Sequence, residues 1–195
     1  MDNLILVPHQ DDEMIGCYYL MKLLMNNVTV TTVFKGGGQP KDKVLDEDKL
    51  YSLRCNETKK ACRKLGVTVF DFLGIPRGTN YEEIEYLVNE YLEVTEPNNI
   101  YTTFPHDNHE EHMILGQIVR QLVKKWQKAF GFIVQTDYLN GKINVAVPDI
   151  QFKLSEENLK ERYNLICEYK TQSHFLPNVI RRPEYKYERY WRITK

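Results

Sequence analysis

His9, Asp11, Asp12 and Glu13 fall within five residues, directly after the apolar run Leu4–Val7 and Pro8. An imidazole nitrogen beside carboxylate oxygens suits Zn²⁺ or a similar divalent ion, whereas Ca²⁺ and Mg²⁺ prefer oxygen ligands alone. Side chains of adjacent residues diverge, so one of the neighbouring carboxylates can ligate an ion while another stays spare. A second cluster, Phe104–His112, holds three of the chain's five histidines, His106, His109 and His112. His109 and His112 are three apart and share a face if a helix has begun by His109. One histidine of this cluster, with His9 and an aspartate, would make three protein ligands and leave a position for water, the pattern of a catalytic zinc site. Such an ion lowers the pKa of its water to about 7 and polarises a carbonyl. A free carboxylate beside it can take the remaining proton and return it to a departing amine. His109, when protonated, would face the developing oxyanion.

The elements that must position these groups are legible from periodicity. Leu4–Val7 is uninterrupted and branched, as in a parallel strand covered on both faces, and Pro8 ends it. The acids therefore lie beyond the carboxyl end of a first strand, where open α/β sheets place ligands. They also precede a helix predicted over Ile15–Met25, whose dipole favours negative charge there. The histidine cluster repeats the arrangement between a strand at Asn99–Thr103 and a helix at Met113–Trp126.

Between and after them the spacing predicts strands at Val28–Phe34 and Val67–Leu73, and helices at Lys49–Leu65, Tyr81–Val94 and Leu159–Tyr169. Ser155 is the expected N-cap of the last helix. Asn140-Gly141 is a hairpin signal between runs at Phe130–Leu139 and Ile143–Val147. Arg181–Lys195 alternates aromatic and basic residues, a composition that could stack on nucleic acid, but the period of two favours an edge strand.

At 195 residues the chain reads as a single domain, 1–195. Its net charge of −1, from 26 basic and 27 acidic residues, supplies no field for nucleic acid or an anionic membrane. No stretch approaches the roughly 18 apolar residues of a membrane span, and the N-terminus resembles neither signal nor anchor. The expectation is a cytoplasmic protein without membrane insertion, acting on a small molecule, with a homo-oligomer left open. Cys17, Cys55, Cys62 and Cys167 are scattered and read as free thiols. Gly36-Gly37-Gly38 lacks the Gly-Lys-Ser/Thr ending of a phosphate loop. It reads instead as a loop near the active edge, with Gly37 offering backbone to substrate.

His9-Gln10-Asp11-Asp12-Glu13 resembles the His-Pro-Asp-Asp-Glu signature of the LmbE-like or PIG-L family of zinc-dependent N-acetylglucosamine-type deacetylases. His109-x-x-His112 resembles its second motif. Arg54-x-x-Glu57 with Ala61, Leu65 and Gly66, and Tyr169-Lys170-Thr171-Gln172, which is similar to a Tyr-x-Ser-Gln segment, extend the resemblance to about residue 172. It implies a Rossmann-like three-layer α/β sandwich with a mostly parallel sheet and a late β-hairpin walling the pocket. It further implies His9, Asp12 and His112 as ligands of Zn²⁺, or of another divalent transition metal such as Fe²⁺. Asp11 would be the general base, His109 the oxyanion stabiliser, and Glu111, in place of a usual Asp, the group that orients or charge-stabilises His109.

The implied reaction is hydrolysis of the acetamide of an N-acetyl amino sugar conjugate. Arg54 and Arg77 are candidate substrate contacts together with Gly37. Three features depart from the pattern: Gln10 replaces the signature Pro, Arg77 stands where the family carries an acidic residue that shapes the sugar site, and Lys35-Gly36-Gly37-Gly38 is charged and extended where the family carries a compact Gly-Glu-type turn. The Arg77 and glycine-loop departures keep open an amidase or esterase acting on a non-sugar molecule. A non-catalytic sugar-binding relative is the other alternative, but it would have no need of a spare Asp11.

Overall fold

The structure, a computed structural model, describes residues 1–36, 45–107, 109–124, 127–134, 147–174, 176 and 183–194. Seven strands form one mixed sheet: β1 (Asn3–Val7), β2 (Thr29–Phe34), β3 (Val69–Ile75), β4 (Asn99–Thr103), β5 (Lys128–Phe132), β6 (Ile150–Lys153) and β7 (Tyr187–Ile193). Their order is β3-β2-β1-β4-β5-β7-β6. The first five strands of that order run parallel, and β7 joins antiparallel to both β5 and β6. The helices are α1 (Asp12–Gly16), α2 (Tyr18–Leu24), α3 (Glu47–Arg63), α4 (Tyr81–Thr95), α5 (Glu110–Leu122) and α6 (Glu156–Ile166).

Every residue of β1 is buried, and the pleat sends alternate side chains into two cores. Ile5 and Val7 pack with Met14, Tyr18, Met21, Ala61, Cys62 and Leu165, so α1, α2, α3 and α6 cover one face. Leu4 and Leu6 pack with Ile84, Val88, Leu115 and Ile118, so α4 and α5 cover the other. The result is the expected three-layer α/β sandwich. After β1 the chain winds outward through β2 to β3, then returns to β4 on the far side of β1. The β1–β4 boundary is therefore the switch point at which such sheets open a crevice.

Three expectations change, and a fourth falls largely outside the described residues. The helix foreseen over Ile15–Met25 is two short helices broken at Cys17, because groups from the C-terminal strand satisfy the backbone on both sides of the break: Tyr190 bonds to Gly16 O and Glu188 to the amides of Tyr19 and Leu20. The helix foreseen from Met113 begins at Glu110, which brings His112 into its first turn. The C-terminal strand is not an edge: β7 lies inside the sheet, with β6 paired along its outer side. Of the hairpin, Phe130–Phe132 falls in β5, whereas residues 135–146, including Asn140-Gly141, lie outside the described residues, as does Trp126. Ser155 caps α6 as foreseen, accepting from the Asn158 amide at 3.2 Å. All four cysteines are free.

Candidate active site

His9 leaves the end of β1, and the following turn folds Asp12 back beneath it, so that the His9 amide donates to Asp12 Oδ2 at 2.9 Å. Across the switch point β4 leads to α5, whose first turn carries His112. That turn is pinned by the Thr103 hydroxyl, which donates to His112 O at 2.8 Å in a buried bond. Gly116 permits the close docking of α5: a Cβ there would lie 2.5 Å from Thr103 O.

Three donor atoms converge. His9 Nδ1 lies 3.2 Å from Asp12 Oδ2, His112 Nε2 lies 3.3 Å from Asp12 Oδ2, and the two imidazole nitrogens are 3.3 Å apart. Zinc bonds of about 2.0–2.1 Å in a tetrahedron place ligand atoms about 3.3–3.4 Å apart, so the triangle fits such an ion without rearrangement. The far nitrogen of each imidazole faces a carboxylate. His9 Nε2 donates to Glu111 Oε2 at 2.7 Å, and His112 Nδ1 is 3.6 Å from Asp107 Oδ1, an ion-pair contact. Carboxylates behind ligating histidines fix ring orientation and raise basicity.

The three groups shift one another strongly. Burial would lower His9, but its hydrogen bonds to Asp12 and Glu111 carry it to about 9. Burial likewise opposes His112, and the Asp12 charge with the Asp107 contact brings it to about 10. Asp12 is resisted by burial yet held far below the carboxylate range, first by His112 and then by His9.

Asp11 belongs to neither of the donor groups that could hold an ion, which are His9, Asp12 and His112, and the looser His9, His109 and Glu111. It is buried, at 6% exposure, and its Oδ2 accepts from Gln172 Nε2 at 2.8 Å. Burial and then the Asp12 charge push its carboxyl well up. The Asp11 amide donates to Glu13 Oε2 at 3.0 Å, and Glu13, fully buried, also accepts from Tyr169 OH. Burial raises Glu13 to about 7.

His109 is the N-cap of α5, not part of its first turn, and its amide donates to Asp107 Oδ1 at 3.0 Å. Its ring sits 4.4 Å from that of His112, and its Nδ1 is buried without a hydrogen-bond partner among the described residues. Burial, followed by the charges of His112 and His9, holds it below the ordinary imidazole value.

The remaining sequence candidates divide. Glu111 makes its hydrogen bond to His9; it is near enough to His109 for its charge to be felt there. Burial would raise its carboxyl, and the His9 hydrogen bond, then the charges of His9, His109 and Arg77, hold it below the usual range. Arg54 is buried and turned inward, near Asp11, with its Nη1 2.9 Å from where a Cβ on Gly36 would stand. Arg77 is exposed on the turn after β3. Gly37 lies outside the described residues. Gln10, in the place of the signature Pro, is buried and donates to Thr32 Oγ1 at 3.2 Å and Phe34 O at 3.0 Å, tying the metal loop to β2.

Two residues were missed. Asp107 could have been found as the acid two before His109 in an already suspicious cluster. Gln172 reaches Asp11 across 161 residues, and nothing local in its segment signals that contact.

The family described as PIG-L, GlcNAc-PI de-N-acetylase, matches residues 4–123. No curated protein matches the chain. Among solved structures, N,N'-diacetylchitobiose deacetylase from Pyrococcus horikoshii superposes with a TM-score of 0.69 at 18% identity, covering 93% of this chain and 73% of that one. The zinc-inhibited form of teicoplanin deacetylase Orf2 gives 0.71 at 14%, covering 93% and 90%. GalB, the 4-carboxy-2-hydroxymuconate hydratase of Pseudomonas putida KT2440, gives 0.68 at 15%, covering 93% and 84%. At these identities the likeness is one of fold, and the fold hosts more than one reaction. The match over residues 4–123 covers most of the chain, which belongs to the PIG-L family.

Proposed function

We propose that this protein, acting as one domain, is a metal-dependent N-deacetylase that hydrolyses the acetamide of an N-acetyl amino sugar conjugate. The observation that carries the reading is the triangle of His9 Nδ1, Asp12 Oδ2 and His112 Nε2, 3.2–3.3 Å on each side, with a buried carboxylate, Asp11, left out of it. His9, Asp12 and His112 would hold Zn²⁺ or another divalent transition metal such as Fe²⁺. The bound ion supplies a Lewis acid and lowers the pKa of water.

Asp11 takes one proton from the water whose oxygen attacks the amide carbon, and Gln172 holds the carboxylate in place for that transfer. Nδ1 of His109, which has no hydrogen-bond partner among the described residues, is available to the carbonyl oxygen as negative charge develops there. As the C–N bond breaks, Asp11 passes the proton to the amine nitrogen, leaving a free amine and acetic acid, which gives up its own proton to solvent as acetate. Glu111 and Asp107 orient the two ligand imidazoles.

Family membership supports the deacetylase reading, and the deacetylases among the structural neighbours agree with it. A hydratase on the same fold favours a second reading, metal-assisted chemistry on a non-sugar molecule. The experiment is release of free amine from N-acetylhexosamine conjugates by metal-loaded protein. Turnover supports the first reading; none across the panel, with metal bound, supports the second.

A further inference from the structure

Among the described residues, Lys35, Arg54 and Arg77 are cationic side chains on the segments at the carboxyl edge of the sheet, and the first two are already engaged. Lys35 Nζ pairs with Asp48 at 2.6 Å. Arg54 is buried beside Asp11, within the field of Asp11 and Glu57. Arg77 is the third: it is exposed and forms no salt bridge with any described residue.

The turn that presents it is built. Thr79 closes Pro76–Thr79 by donating its amide (3.4 Å) and hydroxyl (2.9 Å) to Pro76 O. Gly78, the third residue, has φ +83°, as a type II turn requires. Arg77 is thereby fixed at the apex. The Lys35 amide donates to Ile75 O at 3.0 Å and ties the base of this turn to the end of β2, beside Gly36 and the metal loop. Arg77 is also near enough to Glu111 to act on its charge, but the Glu111 carboxylate is hydrogen-bonded to His9.

A guanidinium presents parallel N–H donors that match a carboxylate or phosphate and that a neutral hydroxyl uses poorly. Resting on the deacetylase reading for the scissile bond, we propose that Arg77 selects substrates carrying an anionic oxyacid group, carboxylate or phosphate, on the sugar. An acidic residue at this position would repel the same group.

The test compares wild type with Arg77→Ala, Arg77→Glu and Arg77→Lys, all metal-loaded, on three probes: methyl N-acetylglucosaminide, N-acetylglucosamine 1-phosphate and N-acetylmuramic acid. Arg77 is exposed, so the variants should fold. Wild type is expected to show a KM about ten- to hundred-fold lower for at least one anionic probe than for the neutral one, the size of a charge-assisted hydrogen bond. Arg77→Ala should bring that ratio near one, Arg77→Glu should invert it, and Arg77→Lys should restore part of it. The phosphate and muramic acid arms tell which oxyacid is read.

Equal KM values in wild type, or a preference that survives Arg77→Glu, would overturn the proposal while leaving the deacetylase reading intact. Absence of turnover on all three would overturn that reading instead. Calorimetric binding of the same probes to wild type and Arg77→Ala then decides the proposal separately: selective loss of anion binding supports it, and identical binding sinks it.

Discussion

Two buried clusters of charge bracket α1, one at each end, and they differ in whether they close on themselves. At the C-terminal end, Arg162 donates to Met14 O at 3.0 Å, to Ile15 O and to Tyr185 O at 2.9 Å. Glu188 accepts from the amides of Tyr19 and Leu20 and lies 3.0 Å from Tyr190 OH. One cation and one anion are balanced there, and four of their hydrogen bonds go to backbone groups flanking the helix break, Met14 O, Ile15 O and the amides of Tyr19 and Leu20. At the N-terminal end, Asp11, Asp12, Glu13, Asp107 and Glu111 crowd around His9 and His112. The side-chain atoms His109 Nδ1, Gln10 Oε1 and Gln172 Oε1 there lack hydrogen-bond partners among the described residues. The closed cluster is a brace. The open one, with its converging imidazole and carboxylate donors, has the form of a functional site.

Substitutions should separate the two by what is lost. His112→Ala and Asp12→Ala should abolish tight metal binding while leaving a folded protein, read by metal content beside circular dichroism; a variant with full metal content would break the distinction. Arg162→Met should do the reverse, keeping the ligands and destabilising the metal-free fold by about 3–5 kcal/mol, because Glu188 stays buried without its counter-ion. Chemical denaturation checks this, and a loss below about 1 kcal/mol would mean that the brace is dispensable.

The open cluster should also show itself through pH. With His9 raised to about 9 and His112 to about 10, both imidazoles are protonated at pH 7 in the metal-free protein, and a bound ion must displace both protons. Metal affinity should then rise with pH, by up to about 100-fold per unit around neutrality, with close to two protons released per ion. The metal-free fold should have the opposite slope. A raised imidazole pKa contributes stability that is full below the unfolded value of about 6.5 and is lost as pH climbs through 9 to 10. Calorimetry in buffers of different ionisation enthalpy counts the protons, and release of fewer than one would contradict the assignment of ligands. The smallest effect expected is from Gly116→Ala, about 1–3 kcal/mol, because its Cβ meets backbone and not a movable side chain.

The same contrast explains what the sequence revealed. That the two clusters would meet at the carboxyl edge of the sheet was legible because each follows an apolar strand, whereas the choice of His9, Asp12 and His112 as a candidate donor set rested on the family resemblance. The sheet was legible for the same reason through β4, whose bounds agree with those foreseen. The brace was not legible: Arg162 and Glu188 look like ordinary surface charges in their own segments and acquire meaning only by reaching residues 147 to 169 positions away. The break at Cys17 was missed with them. β6 escaped because its four residues alternate between half-buried and exposed, leaving little apolar signal, and without it β7 was read as an edge. Glu111 acts on His109 through its charge, as foreseen, but its hydrogen bond to His9, a pairing 102 residues apart, had no local signal.

The most direct test of the central claim is Asp11→Asn, measured for metal content and for amine release from an N-acetylglucosamine conjugate that the wild type hydrolyses. The account predicts metal content equal to wild type and turnover reduced by about 10²–10⁴, the loss expected for a general base. Loss of the metal, or turnover close to wild type, would show that Asp11 is a ligand or a bystander and that the division of roles between Asp11 and Asp12 is wrong.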